Sequence, residues 1–275
     1  MKKTIILILA IISIFIFACS QSNTDNHNPQ LAPKGVSTNT DLIKTESSNI
    51  EIESFDANYG PSTGFLAKPK KDGKYPAVVI MHEWWGINDN IKQMARELAK
   101  EGYAVLAVDL YGGKIANNSD DAMKFMGEAN SNTQRAVANM KSAVSFLKAQ
   151  KFANSNRIAS LGWCFGGGMS LQLSLNEKLN ATVIYYGFLT NDKEKLKFIT
   201  WPVLGIFGGK DANIPPESVK KFETALNELE IKNEINIYPN AGHAFANPSG
   251  ANYAPNETKD AWEKTLAFLD KNLKK

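Results

Sequence analysis

Short apolar runs alternate with amphipathic runs along most of the chain. The run Pro76–Met81 is apolar throughout, as expected of a β-strand that is covered on both faces. A strand with one solvated face would instead alternate apolar and polar residues. Further strands are predicted at Tyr103–Val108, Arg157–Leu161, Ala181–Tyr186, Val203–Phe207 and Glu234–Tyr238.

Helices are predicted where apolar residues recur at intervals of three and four positions. The first such stripe consists of Ile91, Met94, Ala95, Leu98 and Ala99. Gly102 follows this stripe and is typical of a residue that ends a helix. Five more helices are predicted over residues 119–130, 133–150, 169–175, 215–229 and 257–273.

Two runs that precede this alternation differ from the rest. Asn49–Phe55 and Ser62–Ala67 alternate apolar and polar residues, which is typical of antiparallel strands at the edge of a sheet. Strands that alternate with helices after such a start indicate an α/β fold, with a mostly parallel central sheet and helices on both faces. The sequence shows no internal repeat, so residues 49–275 are expected to form one domain.

The N-terminus has the features of an exported lipoprotein. Two lysines precede Thr4–Phe17, an apolar stretch that is shorter than the ~20 residues of a membrane-spanning helix and suits a signal peptide. It ends in Ile-Phe-Ala-Cys, which resembles the lipobox of bacterial lipoproteins. The resemblance implies that residues 1–18 are removed and that Cys19 is acylated. Two or more acyl chains would anchor the protein stably to a membrane.

Residues 19–48 are rich in Asn, Ser, Thr and Pro and have little to bury, so they are expected to form a disordered tether. The alternatives for the N-terminus are an uncleaved signal anchor, or an ordinary signal peptide with an incidental cysteine. With Cys19 acylated, the protein would be held at a membrane of the bacterial cell envelope and would face the periplasm.

Composition narrows the possible functions. The 275 residues are 43% hydrophobic, which is enough for one large core. The net charge is +3 and no basic cluster is present, so no nucleic-acid partner is expected. The two cysteines, Cys19 and Cys164, have separate predicted roles, so no disulfide is expected. No metal or cofactor is expected either.

Candidate chemistry begins at a glycine-rich turn between a predicted strand and a predicted helix. Gly162 and Gly166 flank Cys164 at two positions on either side, where bulk would clash with the helix or the next strand. This is the G-x-S-x-G nucleophile elbow with cysteine in place of serine. The alternative is a glycine-rich loop with a buried, inert cysteine.

A cysteine nucleophile needs a base and a group that orients the base. Of the three histidines, His27 lies in the tether and His82 lies before the elbow, whereas His243 follows the last predicted strand. Asp211 follows the strand Val203–Phe207 directly. The order Cys164, Asp211, His243 is that of α/β-hydrolases. As alternatives, Asp211 caps the helix near Pro215 and His243 is an ordinary loop residue.

The negative charge that develops on an attacked carbonyl oxygen needs backbone donors. In this fold one donor is the N–H of the residue after the nucleophile, here Phe165. The second comes from the loop after the strand Ala77–Met81, here assigned to Trp84. Loss of one such donor typically costs ~3 kcal/mol in the transition state.

From about residue 50 to the C-terminus, the chain resembles the dienelactone hydrolase (carboxymethylenebutenolidase) family of α/β-hydrolases. The resemblance implies a Cys164–His243–Asp211 triad and hydrolysis through an acyl-enzyme. It also implies that Glu83 contacts the resting thiol and moves when substrate binds. A carboxylate beside a thiol disfavours the thiolate. The alternative for Glu83 is a charge at a helix N-terminus. The matching stretches are His82–Asn88, Val108–Tyr111, Gly162–Gly167, Gly208–Asp211 and Ala241–Phe245.

The sequence departs from the family where substrate is held. Family members that act on dienelactone bind its carboxylate with two arginines, but the first region here has Lys114 and the second position is Asn247. A lysine lacks the planar, bidentate fork of arginine. Aromatic residues near the site favour an apolar or aromatic ester, lactone or thioester instead. The candidate pocket residues are Trp84, Trp85, Tyr111 and Phe245.

These features predict an envelope-anchored cysteine hydrolase of esters or lactones. One alternative is a binding lipoprotein whose hydrolase fold is little used, although a complete triad argues against it. Another alternative is acyl transfer, thioester hydrolysis or peptide-bond cleavage by the same residues. The expected partners are a small-molecule ester or lactone and, through Cys19, a membrane.

Overall fold

The computed structural model describes residues 50–60 and 62–274, which form eight strands and seven helices. The predicted signal peptide, the tether and Cys19 lie outside these residues. The strands are β1 Ile52–Asn58, β2 Thr63–Pro69, β3 Tyr75–Met81, β4 Ala104–Val108, β5 Ala153–Trp163, β6 Ala181–Tyr185, β7 Val203–Gly208 and β8 Asn233–Tyr238. The helices are α1 Asp89–Lys100, α2 Ser119–Ser131, α3 Thr133–Ala149, α4 Phe165–Ser174, α5 Lys193–Leu196, α6 Pro216–Glu228 and α7 Pro255–Leu273.

The strands form one sheet in the order β1-β2-β4-β3-β5-β6-β7-β8. β1 pairs with β2 and β2 with β4 in antiparallel fashion, and every other neighbouring pair is parallel. The predicted α/β architecture with an antiparallel start is therefore confirmed. Within the described ranges, no helix is both long enough and apolar enough to cross a membrane.

Both faces of the sheet are covered, which explains the continuous apolar runs. Side chains alternate along a strand, so Val78 and Ile80 of β3 join a cluster with α1 and α7. Val79 and Met81 of the same strand join a second cluster with α3, α4 and α6. Neither face of β3 meets water, and a polar residue at any of these four positions would be buried.

The first helix shows how the local sequence sets its ends. The Asn88 side chain accepts a hydrogen bond from the N–H of Ile91 and thus caps the N-terminus of α1. All five residues of the predicted apolar stripe are buried. The helix ends at Lys100, and Gly102 takes a φ of 86°, which favours glycine.

One helix begins earlier than the sequence indicated. The pattern predicted a helix from Met169, but α4 begins at Phe165, immediately after the elbow. The first turn therefore contains Gly166, Gly167 and Gly168, which are poor helix formers. Close packing requires two of them: a Cβ on Gly166 would lie 2.2 Å from the carbonyl oxygen of Met81, and one on Gly167 would lie 2.4 Å from that of Tyr185.

Candidate active site

The candidate residues meet where the parallel strands end. Cys164 follows β5, Asp211 follows β7, His243 follows β8, and Glu83 and Trp84 follow β3. The carboxyl ends of parallel strands share one edge of the sheet, so residues far apart in sequence come together there. In open α/β sheets this edge is where ligands bind.

The elbow has the predicted strained geometry. Cys164 has φ 55° and ψ −119°, a backbone conformation that residues other than glycine rarely adopt. A Cβ on Gly162 would lie 2.0 Å from the carbonyl oxygen of Gly166, and one on Gly166 would lie 2.2 Å from that of Met81. No larger residue fits at either glycine without moving backbone. The side chain of Cys164 is partly exposed, so it is not the buried, inert cysteine of the alternative interpretation.

The structure brings Cys164, His243 and Asp211 into one hydrogen-bonded row. His243 Nε2 lies 3.1 Å from Cys164 Sγ, and His243 Nδ1 lies 2.8 Å from Asp211 Oδ2. The other carboxylate oxygen, Asp211 Oδ1, accepts hydrogen bonds from the backbone N–H groups of Asn213 (2.8 Å) and Ile214 (3.0 Å). Both oxygens of this buried carboxylate are thus engaged, one with the loop and one with the imidazole.

The surroundings of His243 favour its protonated form. Burial alone would lower the pKa of the imidazole, but the hydrogen bonds with Asp211 and Cys164 outweigh burial and raise the pKa to about 10. Burial likewise would raise the pKa of Asp211, but the hydrogen bonds with His243 and Ile214 hold this pKa below its ordinary value. The arrangement suits an imidazolium that lies between a carboxylate and a sulfur atom.

The two candidate oxyanion donors lie at the start of α4 and in the loop after β3. Phe165 is the first residue of α4, and its N–H is one of the donors that a helix leaves unpaired at its N-terminus. Trp84 lies in the turn formed by residues 82–86, which we call the oxyanion turn. Gly166, one residue after Phe165, is packed against the carbonyl oxygens of Met81 and His82 at the start of this turn.

His82 holds the oxyanion turn. Its ring is fully buried, and burial lowers its pKa, so it is neutral. Nε2 accepts the N–H of Leu110 at 3.3 Å, which leaves Nδ1 to donate to the carbonyl oxygen of Glu83. The sequence could exclude His82 as the base by its position, but it gave no indication of this bridging role.

The expected contact of Glu83 with the resting thiol stays a prediction. In the described residues no hydrogen bond joins Glu83 to Cys164, whose sulfur instead contacts His243. Glu83 is 3% exposed, and its Oε2 accepts a hydrogen bond from Asn247 Nδ2. Burial raises the pKa of Glu83 to about 7, against the opposing effects of the His243 charge, the Asn247 hydrogen bond and the nearby Tyr186 hydroxyl.

The predicted pocket residues occupy different environments. Tyr111 packs against Phe165 with ring centroids 5.7 Å apart, and its buried hydroxyl lacks a hydrogen-bond partner in the described chain. Trp84 is half-buried and contacts Trp85, with ring centroids 5.0 Å apart. Trp85 itself is 8% exposed and belongs to a small cluster at the start of α2.

Phe245 was wrongly assigned to the pocket. It is fully buried, and its ring packs against Tyr186 and Tyr238 at centroid distances of 5.6 and 5.2 Å. It is therefore part of the core under α7 rather than a surface for substrate. Lys114, the cation that the sequence offered for a substrate carboxylate, forms an ion pair with Glu128 at 3.2 Å.

Two further residues at the site were not predicted. Tyr186 directly follows β6, has a φ of 35°, and packs its ring against His243 at 5.4 Å. Strained backbone of this kind clusters at functional sites. Phe188 is 55% exposed and lies against Gly168, one helical turn beyond Cys164. The sequence signal for both was only their position after a buried strand.

Comparison with known proteins shows the family of the chain. Residues 63–273 match the model of the dienelactone hydrolase family. A protein of Saccharolobus solfataricus named "Putative carboxymethylenebutenolidase" is 31% identical over 252 residues, which cover 78% of this chain and 96% of that protein. Protein usf of Aquifex pyrophilus is 30% identical over 81% of this chain and 99% of its own length.

The fold of this chain is also similar to folds of proteins whose structures have been solved. The structure of m3DLH superposes with a TM-score of 0.73 at 26% identity, covering 82% of this chain and 99% of that one. The family match spans the oxyanion turn, the elbow and the loops that carry Asp211 and His243. The chain therefore belongs to the dienelactone hydrolase family and is a hydrolase that acts on ester or lactone bonds.

Proposed function

We propose that this hydrolase uses Cys164 as its nucleophile, His243 as its base and Asp211 to orient the base. One observation carries the proposal: the row of contacts from Asp211 Oδ2 through both nitrogens of His243 to Cys164 Sγ, at 2.8 and 3.1 Å. A base must lie within hydrogen-bond reach of the proton it takes, and its other nitrogen must be held in the correct tautomer. Both distances are within hydrogen-bond reach, which supports the proposal.

The reaction follows from these contacts. The thiol proton passes to His243 Nε2, and the thiolate attacks the carbonyl carbon of the ester. The C–S bond forms as the electron pair of the carbonyl moves onto oxygen, near the N–H groups of Phe165 and Trp84. The C–O bond then breaks, and the leaving alkoxide takes the proton from His243.

The second half of the reaction releases the acid. A water molecule gives a proton to His243 and attacks the carbonyl carbon of the thioester on Cys164. The C–S bond breaks, the acid product leaves, and the thiolate again faces the imidazolium. Asp211 stays ionised throughout and stabilises the positive imidazole.

The substrate is proposed to be a neutral, largely apolar ester or lactone. The ammonium group of Lys114 forms an ion pair with Glu128. Asn247 is uncharged, and its amide donates to Glu83. Neither position therefore offers a free cation to a substrate carboxylate. Two aromatic side chains with exposed surface are available near these elements: Trp84, which is half-buried and follows β3, and Phe188, which is exposed and follows β6. Aromatic rings favour apolar or aromatic acyl and leaving groups.

The test is turnover and trapping by the purified full chain. We expect release of p-nitrophenol from p-nitrophenyl acetate, with a burst, and a mass increase of one acetyl group on the peptide that contains Cys164. Cys164→Ala and His243→Ala should each abolish turnover, with Cys164→Ala also abolishing the acetyl adduct. Turnover by Cys164→Ala equal to that of the wild type would refute the proposed nucleophile.

We also propose that Cys19 carries a lipid that anchors the protein in the bacterial cell envelope. The support is the sequence Ile-Phe-Ala-Cys after a short apolar segment. Cells that express the full chain and are fed an alkynyl fatty acid should label the wild type but not Cys19→Ala. Absence of label on the wild type would refute the anchor.

A further inference from the structure

The carboxyl group of Glu83 has few hydrogen-bond partners. Glu83 is buried, its Oε1 has no hydrogen-bond partner within the described residues, and its Oε2 accepts one hydrogen bond, from Asn247 Nδ2. A buried carboxyl group normally collects several donors. Here the amide of Asn247 donates the hydrogen bond that joins the carboxyl group to another loop, and the Tyr186 hydroxyl lies nearby.

Asn247 is itself firmly fixed. Its Oδ1 accepts the backbone N–H of Ser249 at 3.0 Å, which determines the orientation of the amide and leaves Nδ2 for Glu83. Its backbone N–H donates to the carbonyl oxygen of Ala244 at 3.0 Å, and Gly250 N–H donates to the Asn247 carbonyl oxygen at 3.0 Å. The side chain is 5% exposed and so has little room to move.

The bond joins the two loops on which the chemistry depends. Asn247 lies in the loop of residues 241–250, which also carries His243 and which we call the His243 loop. Glu83 lies in the oxyanion turn, next to Trp84. The two partners are 164 positions apart in sequence. Geometry between the base and the oxyanion donor must hold within fractions of an ångström for transition-state stabilisation.

We propose that Asn247 is a positioning residue, whose amide ties Glu83 to the His243 loop and fixes the oxyanion turn relative to the catalytic imidazole. This inference rests on the proposed function, because it assigns the bond a purpose within that reaction. Asn247 acts through Glu83 and Trp84 and is not itself argued to touch substrate. Its loss should therefore lower kcat more than it changes KM.

A charge-swap experiment separates positioning from other roles. Asn247→Leu removes the donor. Asn247→Asp sets one carboxyl group against another. Glu83→Gln keeps an acceptor for the Asn247 amide while removing the charge. The double variant Asn247→Asp/Glu83→Gln restores the bond with donor and acceptor reversed, since one carboxylate oxygen of Asp can accept from Ser249 N–H and the other from the Gln amide.

Rates are measured with p-nitrophenyl acetate and divided by the burst amplitude, so that they refer to folded, active sites. We expect Asn247→Leu and Asn247→Asp each to lower kcat about tenfold or more, with KM within about twofold of the wild type. Asn247→Asp should lower kcat far less when Glu83→Gln is also present than when it is made in the wild type. This rescue is not expected of a residue that serves only to pack the loop.

Two outcomes would overturn the inference: wild-type kcat in both single variants at position 247, or a double variant as impaired as Asn247→Asp alone. If Asn247→Leu fails to fold, the comparison of Asn247→Asp with the double variant still decides. Cys164→Ala is assayed in parallel. Activity in Cys164→Ala would defeat the proposed function, whereas an inactive Cys164→Ala beside wild-type kcat in both Asn247→Leu and Asn247→Asp would defeat this inference alone.

Discussion

Asp211→Asn should stop turnover while leaving the loop that carries residue 211 folded. The two backbone donors of Asn213 and Ile214 point at Oδ1, so an asparagine must keep its amide oxygen there. Its NH₂ group then replaces Oδ2 and faces His243 Nδ1, 2.8 Å away in the wild type. An NH₂ group can only donate, so Nδ1 must become an acceptor.

The consequence is the wrong tautomer of His243. With Nδ1 unprotonated, the neutral imidazole carries its proton on Nε2, directed at Cys164 Sγ 3.1 Å away. Such a ring cannot accept the thiol proton. The same exchange in a serine triad lowers kcat about 10⁴-fold. At ~1.4 kcal/mol per factor of ten, this corresponds to a loss of about 5 kcal/mol of transition-state stabilisation.

Stopped-flow release of p-nitrophenol measures both the burst and the steady state. Asp260→Asn is a matched control, because Asp260 also accepts a hydrogen bond from a neighbouring element, the Tyr238 hydroxyl at 2.7 Å, but has no contact with His243. It should keep kcat within about twofold, and both variants should unfold within about 1 kcal/mol of the wild type. If Asp211→Asn retained more than about one-tenth of kcat, the tautomer argument would be refuted.

Three other outcomes can be measured directly. Gly166→Ala places a Cβ 2.2 Å from the Met81 carbonyl oxygen and should lower the free energy of unfolding in urea by more than about 2 kcal/mol, whereas Gly127→Ala, with no atom within 4 Å of the new Cβ, should be neutral or slightly stabilising. The pKa of Glu83 is raised from 4.5 to about 7, so the folded chain holds the extra proton between these values, and the free energy of unfolding should fall as pH rises through this window by on the order of 3 kcal/mol. Glu83→Gln should flatten that fall, and an unchanged slope would contradict the raised pKa. Phe188→Ala should raise KM for aromatic esters several-fold with little change in kcat, and an unchanged KM for these esters would remove Phe188 from the binding surface.

Much of the architecture could be predicted because the buried parallel strands of this fold have a recognisable sequence pattern. A parallel strand such as β3 is buried on both faces, so it becomes a continuous apolar run, and α1 carries its stripe and its Gly102 stop in order. The elbow was equally readable, because close packing at Gly162 and Gly166 excludes larger residues. In these cases the structural constraint acts on neighbouring residues, so it can be recognised from a short stretch of sequence.

The misassigned residues depend on contacts between distant segments. Phe245 lies in the core because Tyr186, which follows β6, and Tyr238, at the end of β8, pack against it, and no pattern in its own loop shows this. The start of α4 was missed because glycines oppose helix formation locally and tertiary packing overrides them. The bond between Glu83 and Asn247 has no sequence signal, since an asparagine in a turn is ordinary.

The backbone at Cys164 has a consequence for how such a chain tolerates change. A residue with a side chain held at φ 55° costs on the order of 1–3 kcal/mol, and glycine would remove much of that cost. Selection for thermal stability alone would thus favour glycine at position 164, which would remove the thiol. If a screen for heat resistance yields a more stable variant, position 164 should be sequenced first, because a substitution there can raise stability while abolishing activity.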